Sequence, residues 1–437
     1  METSENPSGK NETIGDQEKH DTKDTKNKLN IKDYWPTFLI IAILLFSFII
    51  RIGFFIDTKD QAVWWDEAEY LIKAKHYAFG TSDEGWNPLR ELLMSFFWGF
   101  LYKLGATELI IRITVFILAL LAIYLTYLVG KELFNPWIGL LAAFLMAIYN
   151  QNIFFTYRML IDVPATVFWL ASIYFFWRGY VKERNKKYLY LSGVFIALGF
   201  LTHYSLLFLI LIVFIFLLIT EKFKFFRDKN IWVTLLIIIL LISPYIIWSL
   251  IKFSVPLPRY AAAYAAEQRG ALNISAWNSY LKFIDIHLQL ILLILFILGL
   301  IFILINVILS FDLILRNKNK NTQNQLFVLL WFLIPLIIYT YTGIANIGPT
   351  EPRYLLLILP PTSIIIALFL EKCYTFIAKK GKFVAIILVL IVLILSAVSQ
   401  ISTAGLLIKN GTGYDVVAQA GLLIKSNTNK DDTIMSN

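Results

Sequence analysis

The segment PTFLIIAILLFSFIIRIGFFI, residues 36–56, followed at once by DTKDQAVWWDEAEY, residues 57–70, decides how this chain is read. The first piece is an apolar run with a single charge, Arg51, and it has the ~20-residue length that a helix needs to cross hydrocarbon. The second is polar and acidic. Working outward, further apolar runs lie near 108–130, 136–155, 162–178, 187–202, 204–220, 231–251, 288–310, 326–342, 354–371 and 383–401. About eleven transmembrane helices are therefore predicted. The alternating ~10-residue pattern of an outer-membrane barrel is missing. The expected fold class is an all-α polytopic membrane protein.

Composition agrees. Of 437 residues, 58% are hydrophobic and 16% charged, outside the ordinary range for soluble domains. The net charge of +9 sits in short connections between apolar runs, where orientation among membrane lipids explains it and a nucleic-acid partner is not needed. Cys373 is the lone cysteine, so no intramolecular disulfide is possible, and His20, His76, His203 and His287 are not at zinc-ligand spacing. No cofactor is expected to be required. Residues 1–34 are polar and read as a disordered cytoplasmic tail, not a signal peptide, because the first apolar run begins only near Trp35. Residues 35–402 form the expected membrane domain. Residues 403–437, with a short apolar stretch at Val416–Ile424, read as an extracytoplasmic tail or a truncated soluble domain.

Loop charge orients the bundle. With the N-terminus inside, the even connections carry the basic residues, such as Arg178, Lys182, Arg184, Lys186 and Lys187, then Lys222, Lys224, Arg227 and Lys229, and finally Lys372, Lys379, Lys380 and Lys382. The long first loop is acid-rich, which is the positive-inside pattern. Within it, Leu92, Leu93, Phe96, Phe97, Phe100, Leu101 and Leu104 recur at helical spacing, predicting an interfacial amphipathic helix over Glu91–Leu104. Two short spans meeting at Thr202-His203-Tyr204 predict a tight hairpin.

This topology gathers four polar features on the extracytoplasmic side: Trp64 to Tyr70, Tyr157-Arg158 with Asp162, Thr202 to Tyr204, and Glu351 to Tyr354. Ionisable groups at a membrane edge are costly unless paired, hydrated or used. Asp162 ahead of Val163-Pro164 also suits a helix cap, Arg112 suits snorkelling to headgroups, and Arg353 suits an interface anchor.

The motifs are Asp66-Glu-x-x-Tyr70, Pro88-Leu89, Glu108-Leu-Ile-Ile-Arg-Ile, Gly130-Lys-Glu-Leu-Phe, Tyr157-Arg-x-x-x-Asp162 and Arg353-Tyr-Leu. In that order and spacing, over residues 36–400, the chain resembles the dolichyl-phosphate-mannose protein mannosyltransferases and their aminoarabinose-transferase relatives. The resemblance implies a GT-C fold and inverting transfer of a sugar from a polyprenyl-phosphate donor, dolichyl or undecaprenyl, to a hydroxyl on an acceptor protein, lipid or glycan. It further implies Asp66 as general base, with Glu67 and Asp162 orienting the base or acceptor. Arg353, Arg112, Arg90 and His203 are candidate partners of the donor phosphate, since arginine holds phosphate in a two-pronged geometry. Arg259 and Arg269, in an outer loop that reads as a donor lid or a solvated linker, join them. Trp65, Tyr70, Tyr157, Arg158 and Tyr354 are assigned to the acceptor or sugar. Asn87 departs from the relatives, which tend to carry a lysine before the corresponding proline.

Two alternatives stand beside this reading. One is an oligosaccharyl-transferase-like enzyme holding a divalent metal with Asp66, Glu69 and Asp162. The other is a transporter or flippase, against which the span centres are almost free of charge and no repeat is apparent.

Overall fold

The computed structural model describes residues 34–84, 86–88, 90–257, 272–316, 318–346, 350–411 and 415–428. All regular structure among them is helical. In chain order the α-helices are α1 (Trp35–Thr58), α2 (Trp65–Phe79), α3 (Leu93–Lys103), α4 (Glu108–Leu133), α5 (Pro136–Ile148), α6 (Asn150–Phe155), α7 (Asp162–Phe176) and α8 (Lys186–Thr202). They continue with α9 (Leu207–Glu221), α10 (Lys229–Phe253), α11 (Ser279–Leu309), α12 (Phe311–Leu315), α13 (Lys320–Ile344), α14 (Leu359–Ala378), α15 (Lys382–Asn410) and α16 (Asp415–Asn427).

Among the described residues, eight helical segments are long and apolar enough to cross a membrane. The other predicted spans are shorter. One is α7, which runs into a π-turn at Trp177–Lys182; another is α8. The third, predicted over 136–155, breaks at Tyr149 (φ −52°, ψ 126°) into α5 and α6. Asn150, just past the break, donates to the carbonyls of Ile286 and His287 at 3.1 and 3.3 Å, and its own N–H donates to Gln400 Oε1 at 2.9 Å. At the far end α15 runs to Asn410, past the predicted boundary at 402.

The outward faces are apolar: Phe38, Ile41 and Ile49 on α1, Leu236 and Ile239 on α10, Ile394 and Val398 on α15. In hydrocarbon such faces cost nothing, so helices associate through close packing and internal hydrogen bonds. The α4–α5 hairpin illustrates this. A Cβ on Gly130 would lie 2.8 Å from Gly139 Cα, and one on Gly139 would lie 2.5 Å from the Tyr127 carbonyl oxygen, so the two backbones touch. Asn135 starts α5 by accepting from the Ile138 N–H at 3.1 Å, with Pro136 preset for the first turn. Arg51, the one charge of the first span, is fully buried and donates to Ser47 Oγ, the Ala147 carbonyl and Thr156 Oγ1 at 2.6, 2.8 and 3.2 Å. It ties α1 to the α5–α6 break.

The helix expected over Glu91–Leu104 forms as α3. Its Phe96, Phe97, Phe100 and Leu104 are exposed, whereas Met94, Trp98 and Tyr102 pack inward, and Gly99 lets α3 lie against α2 at Ala74. An apolar face turned away from the protein is what a helix resting in the membrane interface presents. The helix α2 was not predicted. It ends at Gly80 in the left-handed region (φ 68°), a C-terminal signal that the sequence did carry.

Candidate active site

The site is built on the first turn of α2. Glu67 is fully buried, and its carboxylate accepts from the Trp64 N–H at 2.7 Å and the Met159 N–H at 2.6 Å. Arg112 and Arg158 flank it at 3.9 and 3.8 Å. Arg112 also donates to the carbonyls of Tyr157 (2.8 Å) and Gln61 (2.9 Å), and Arg158 donates to Gln61 Oε1 (3.1 Å) and the Gly411 carbonyl (3.2 Å) while lying 4.0 Å above the Trp64 ring. Tyr157 is buried, its hydroxyl donating to the Arg51 carbonyl at 3.2 Å. Glu67, Arg112, Tyr157 and Arg158 thus form an interior knot that fixes where α2 begins. Neither arginine lines the cleft described next, and Arg112 is buried, not snorkelled to headgroups.

One residue earlier, about 100° around the helix, Asp66 projects elsewhere. One carboxylate oxygen accepts from Arg90 Nη2 and the other from Arg353 Nη2. Arg90 also donates through Nε to Glu69, which accepts from Trp65 Nε1 at 3.0 Å while the Trp65 ring stays largely exposed. Arg353 Nε lies 2.8 Å from Glu351 Oε2, close enough for an ion pair but not aligned as a hydrogen bond. Burial pushes the Asp66 carboxyl up, but the guanidiniums of Arg353 and Arg90 outweigh it and hold the group below the usual carboxylate range. Glu351 goes the other way, raised by burial and by the charges of Asp66 and Asp162 against the pull of Arg353.

A small cleft opens beside this clasp. Tyr70, Arg90, Asp162, His203, Arg353 and Tyr354 line it, with Leu160 and Ile161 as its apolar wall. Asp162 is the first residue of α7, yet Ile161 holds the cap position and makes no side-chain cap bond, so the carboxylate of Asp162 faces Arg353 and His203 instead. His203 interrupts the helices in an extended conformation (φ −155°) and its Nδ1 accepts from the Ser205 N–H at 3.2 Å. Seven of the residues read from sequence therefore meet in this cleft or on its rim: Asp66, Tyr70, Arg90, Asp162, His203, Arg353 and Tyr354. Arg259 and Arg269 lie outside the described residues.

A second cavity, about 570 Å³, lies behind the first. Its walls are apolar, from Leu92, Leu93 and Phe96 at α3, Leu201 on α8, and Leu241, Pro244, Tyr245 and Trp248 on α10, while Lys73 and Lys252 supply cations. The two share a partition, since Arg90 faces one and Leu92 the other, as His203 and Leu201 do. Between them sits Glu91, buried, accepting from the Tyr204 N–H at 3.3 Å and the Tyr70 hydroxyl at 3.4 Å. Sequence reasoning did not single out Glu91, Lys73 or Lys252: the first two counted among the charges of the first loop, and Lys252 lies one residue past the predicted span over 231–251. Among the described residues no trio of Asp, Glu, His or Cys is placed to hold a metal, and Arg90 occupies the space between Asp66 and Glu69.

The depressed carboxyl of Asp66 has a consequence for stability. Its contribution is complete above the unfolded carboxylate value and is lost only as pH falls through the lower folded value. The gap in melting temperature between the wild type and Asp66→Asn is expected to stay constant from about pH 8 to about pH 5 and to narrow only below about pH 4. A gap that closes near neutral pH would contradict the clasp.

Residues 89–248 match the family model described as dolichyl-phosphate-mannose-protein mannosyltransferase. That segment contains Arg90, Asp162 and His203, and Asp66 and Arg353 lie outside it. No curated protein matches the chain in sequence. The fold is similar to the oligosaccharyltransferase of Archaeoglobus fulgidus in its apo form, with a TM-score of 0.63 at 14% identity, covering 92% of this chain and 59% of that one. It is also similar to ArnT from Cupriavidus metallidurans, solved bound to undecaprenyl phosphate, with a TM-score of 0.56 at 12% identity, covering 86% and 73%. The chain thus spans 59% of the length of the oligosaccharyltransferase. This is a multi-pass integral membrane protein with the fold of the GT-C glycosyltransferases. Within that class it resembles the protein mannosyltransferases and aminoarabinose transferases.

Proposed function

We propose that the protein is an inverting glycosyltransferase that moves a sugar from a polyprenyl-phosphate carrier to an acceptor hydroxyl on the extracytoplasmic face. The carrying observation is the clasp of Asp66 by Arg90 and Arg353 at a polar cleft backed by an apolar cavity with lysines. The prenyl chain lies in the apolar cavity and its phosphate comes to the cations of the two chambers, Lys73 and Lys252 on one side and Arg90 and Arg353 on the other. There it competes for Arg90 and Arg353, which loosens their hold on Asp66. The freed carboxylate takes the proton of the acceptor hydroxyl as that oxygen bonds to the anomeric carbon. The bond from that carbon to the phosphate oxygen breaks, its electron pair leaving with polyprenyl phosphate, and the sugar inverts. Cations on the leaving phosphate remove the need for a strong acid. The acceptor is a protein, lipid or glycan hydroxyl, and the sidedness is supported by the basic connections on the opposite side.

The test supplies purified protein with a panel of polyprenyl-phosphate sugars and an acceptor mixture, reading release of polyprenyl phosphate and the anomeric configuration of the product. A retained configuration, or no release with any donor, would reject the proposal. The likeness to an oligosaccharyltransferase favours, as a second reading, a divalent ion at Asp66, Glu69 and Asp162. Because Arg90 already neutralises two of those carboxylates, transfer is expected to proceed undiminished in excess chelator. Loss of turnover restored by added Mn²⁺ or Mg²⁺ would favour the metal reading.

A further inference from the structure

Among the residues that line the apolar cavity, Lys73 is nearly enclosed, with 4% of its side chain exposed. Its ammonium lies 4.0 Å over the Trp86 ring and 5.2 Å over that of Tyr77. Its ion-pair partner is Asp83, a loop carboxylate whose side chain is 32% exposed. Lys252, from the last turn of α10, lies 5.9 Å from the same Trp86 ring and 5.8 Å from Trp248.

Three features make this pair unusual. Two ammoniums and one carboxylate line a cavity whose other walls are mostly apolar, so the lining carries surplus positive charge. The cation is buried and the anion is not, so Asp83 can return to water at small cost, whereas stranding Lys73 alone would be expensive. Asp83 also interacts with both lysines and His76 from its place on the loop, and the hydrogen bond from Lys73 holds its carboxyl below the usual range. A free prenyl phosphate, a monoester, offers more charge and more acceptor oxygens than one carboxylate, and the sugar-bearing diester, with a single charge, matches the carboxylate and adds the burial of its prenyl chain.

We infer that Asp83 is a displaceable stand-in for the phosphate of an anionic lipid: it pairs Lys73 while the cavity is empty and yields that cation when a phosphate-headed prenyl chain enters. This rests on the assignment of the apolar cavity to the carrier. The arrangement keeps the buried ammonium paired in both states and selects by charge, because a neutral head cannot evict the carboxylate. It also returns a competitor to the cation as each spent carrier leaves.

The test uses the full chain in detergent, titrated with undecaprenyl phosphate and, separately, with the neutral alcohol undecaprenol, read by tryptophan fluorescence. Asp83→Asn is expected to bind the phosphate roughly two- to fivefold tighter, the scale of one partly exposed ion pair, and the alcohol as the wild type does. Asp83→Glu, which keeps the carboxylate, and Asp60→Asn, which removes a loop charge elsewhere, should both match the wild type. Lys73→Met should weaken phosphate binding on the order of thirtyfold. If Lys73→Met weakens binding but Asp83→Asn leaves it unchanged or weaker, the stand-in is wrong and the carrier groove survives. Equal tightening toward the alcohol would also sink it, since charge would then not be the cause. Should Lys73→Met bind like the wild type, both the groove assignment and this inference fall.

Discussion

Asp66→Asn is expected to lower sugar transfer by about 10²- to 10⁴-fold, the usual contribution of a positioned general base, while leaving carrier binding intact or stronger. The amide keeps the size and one acceptor oxygen of the carboxylate but cannot take a proton. It also releases Arg90 and Arg353, which in the wild type share their charge with Asp66. Freed guanidiniums should grip the donor phosphate more firmly, so kcat collapses and KM does not rise. Single-turnover release of polyprenyl phosphate, measured beside carrier affinity, separates the two effects. A variant that turns over at the wild-type rate removes Asp66 from the chemistry. One whose whole loss lies in KM would make Asp66 a structural counter-ion.

Glu67→Ala is expected to be the most destabilising single change in the first loop, by about 3 to 5 kcal/mol, the scale for removing one partner from a buried charge cluster. Its carboxylate is wholly enclosed, satisfies two backbone N–H groups from segments far apart in the chain, and lies between two guanidiniums. Alanine takes the acceptor from both N–H groups and the counter-ion from both guanidiniums. Glu67→Gln retains the acceptor oxygen for one amide and should lose less, which keeps the measurement possible if the alanine variant does not accumulate. Thermal unfolding in a fixed detergent reads the difference. A Glu67→Ala protein that melts with the wild type would refute the knot. The resemblance had Glu67 orienting the base or acceptor, and the structure places it outside the cleft. Its influence on Asp66 instead runs through the start of α2, one turn that carries both residues.

The legible parts were those that depend on neighbours in the chain. Apolar runs report their own burial in lipid, so the long apolar helices and the amphipathic α3 were read close to where they lie, and the acidic turn at Asp66 stood out. The break at Tyr149 was not legible, because the polar stretch Asn150-Gln151-Asn152 is accommodated by partners such as Gln400, 250 residues away. Arg112 and Arg158 read as phosphate or sugar ligands because a sequence shows only that an arginine sits near a membrane edge. Which carbonyls it meets is a property of the packed bundle.

The sequence by itself determined that this is a helical membrane protein, where its long apolar helices lie, and which polar turns carry the ionisable groups, since hydrocarbon tolerates only long apolar helices with internally satisfied backbones. Tertiary structure alone decided that Asp66 meets both Arg90 and Arg353, the latter 287 positions away, that Glu67 turns inward, and that Lys73 is sheathed by aromatic rings beside Asp83. The reason is that a charge's partner is chosen by how helices pack, and packing couples residues whose separation along the chain leaves no local trace.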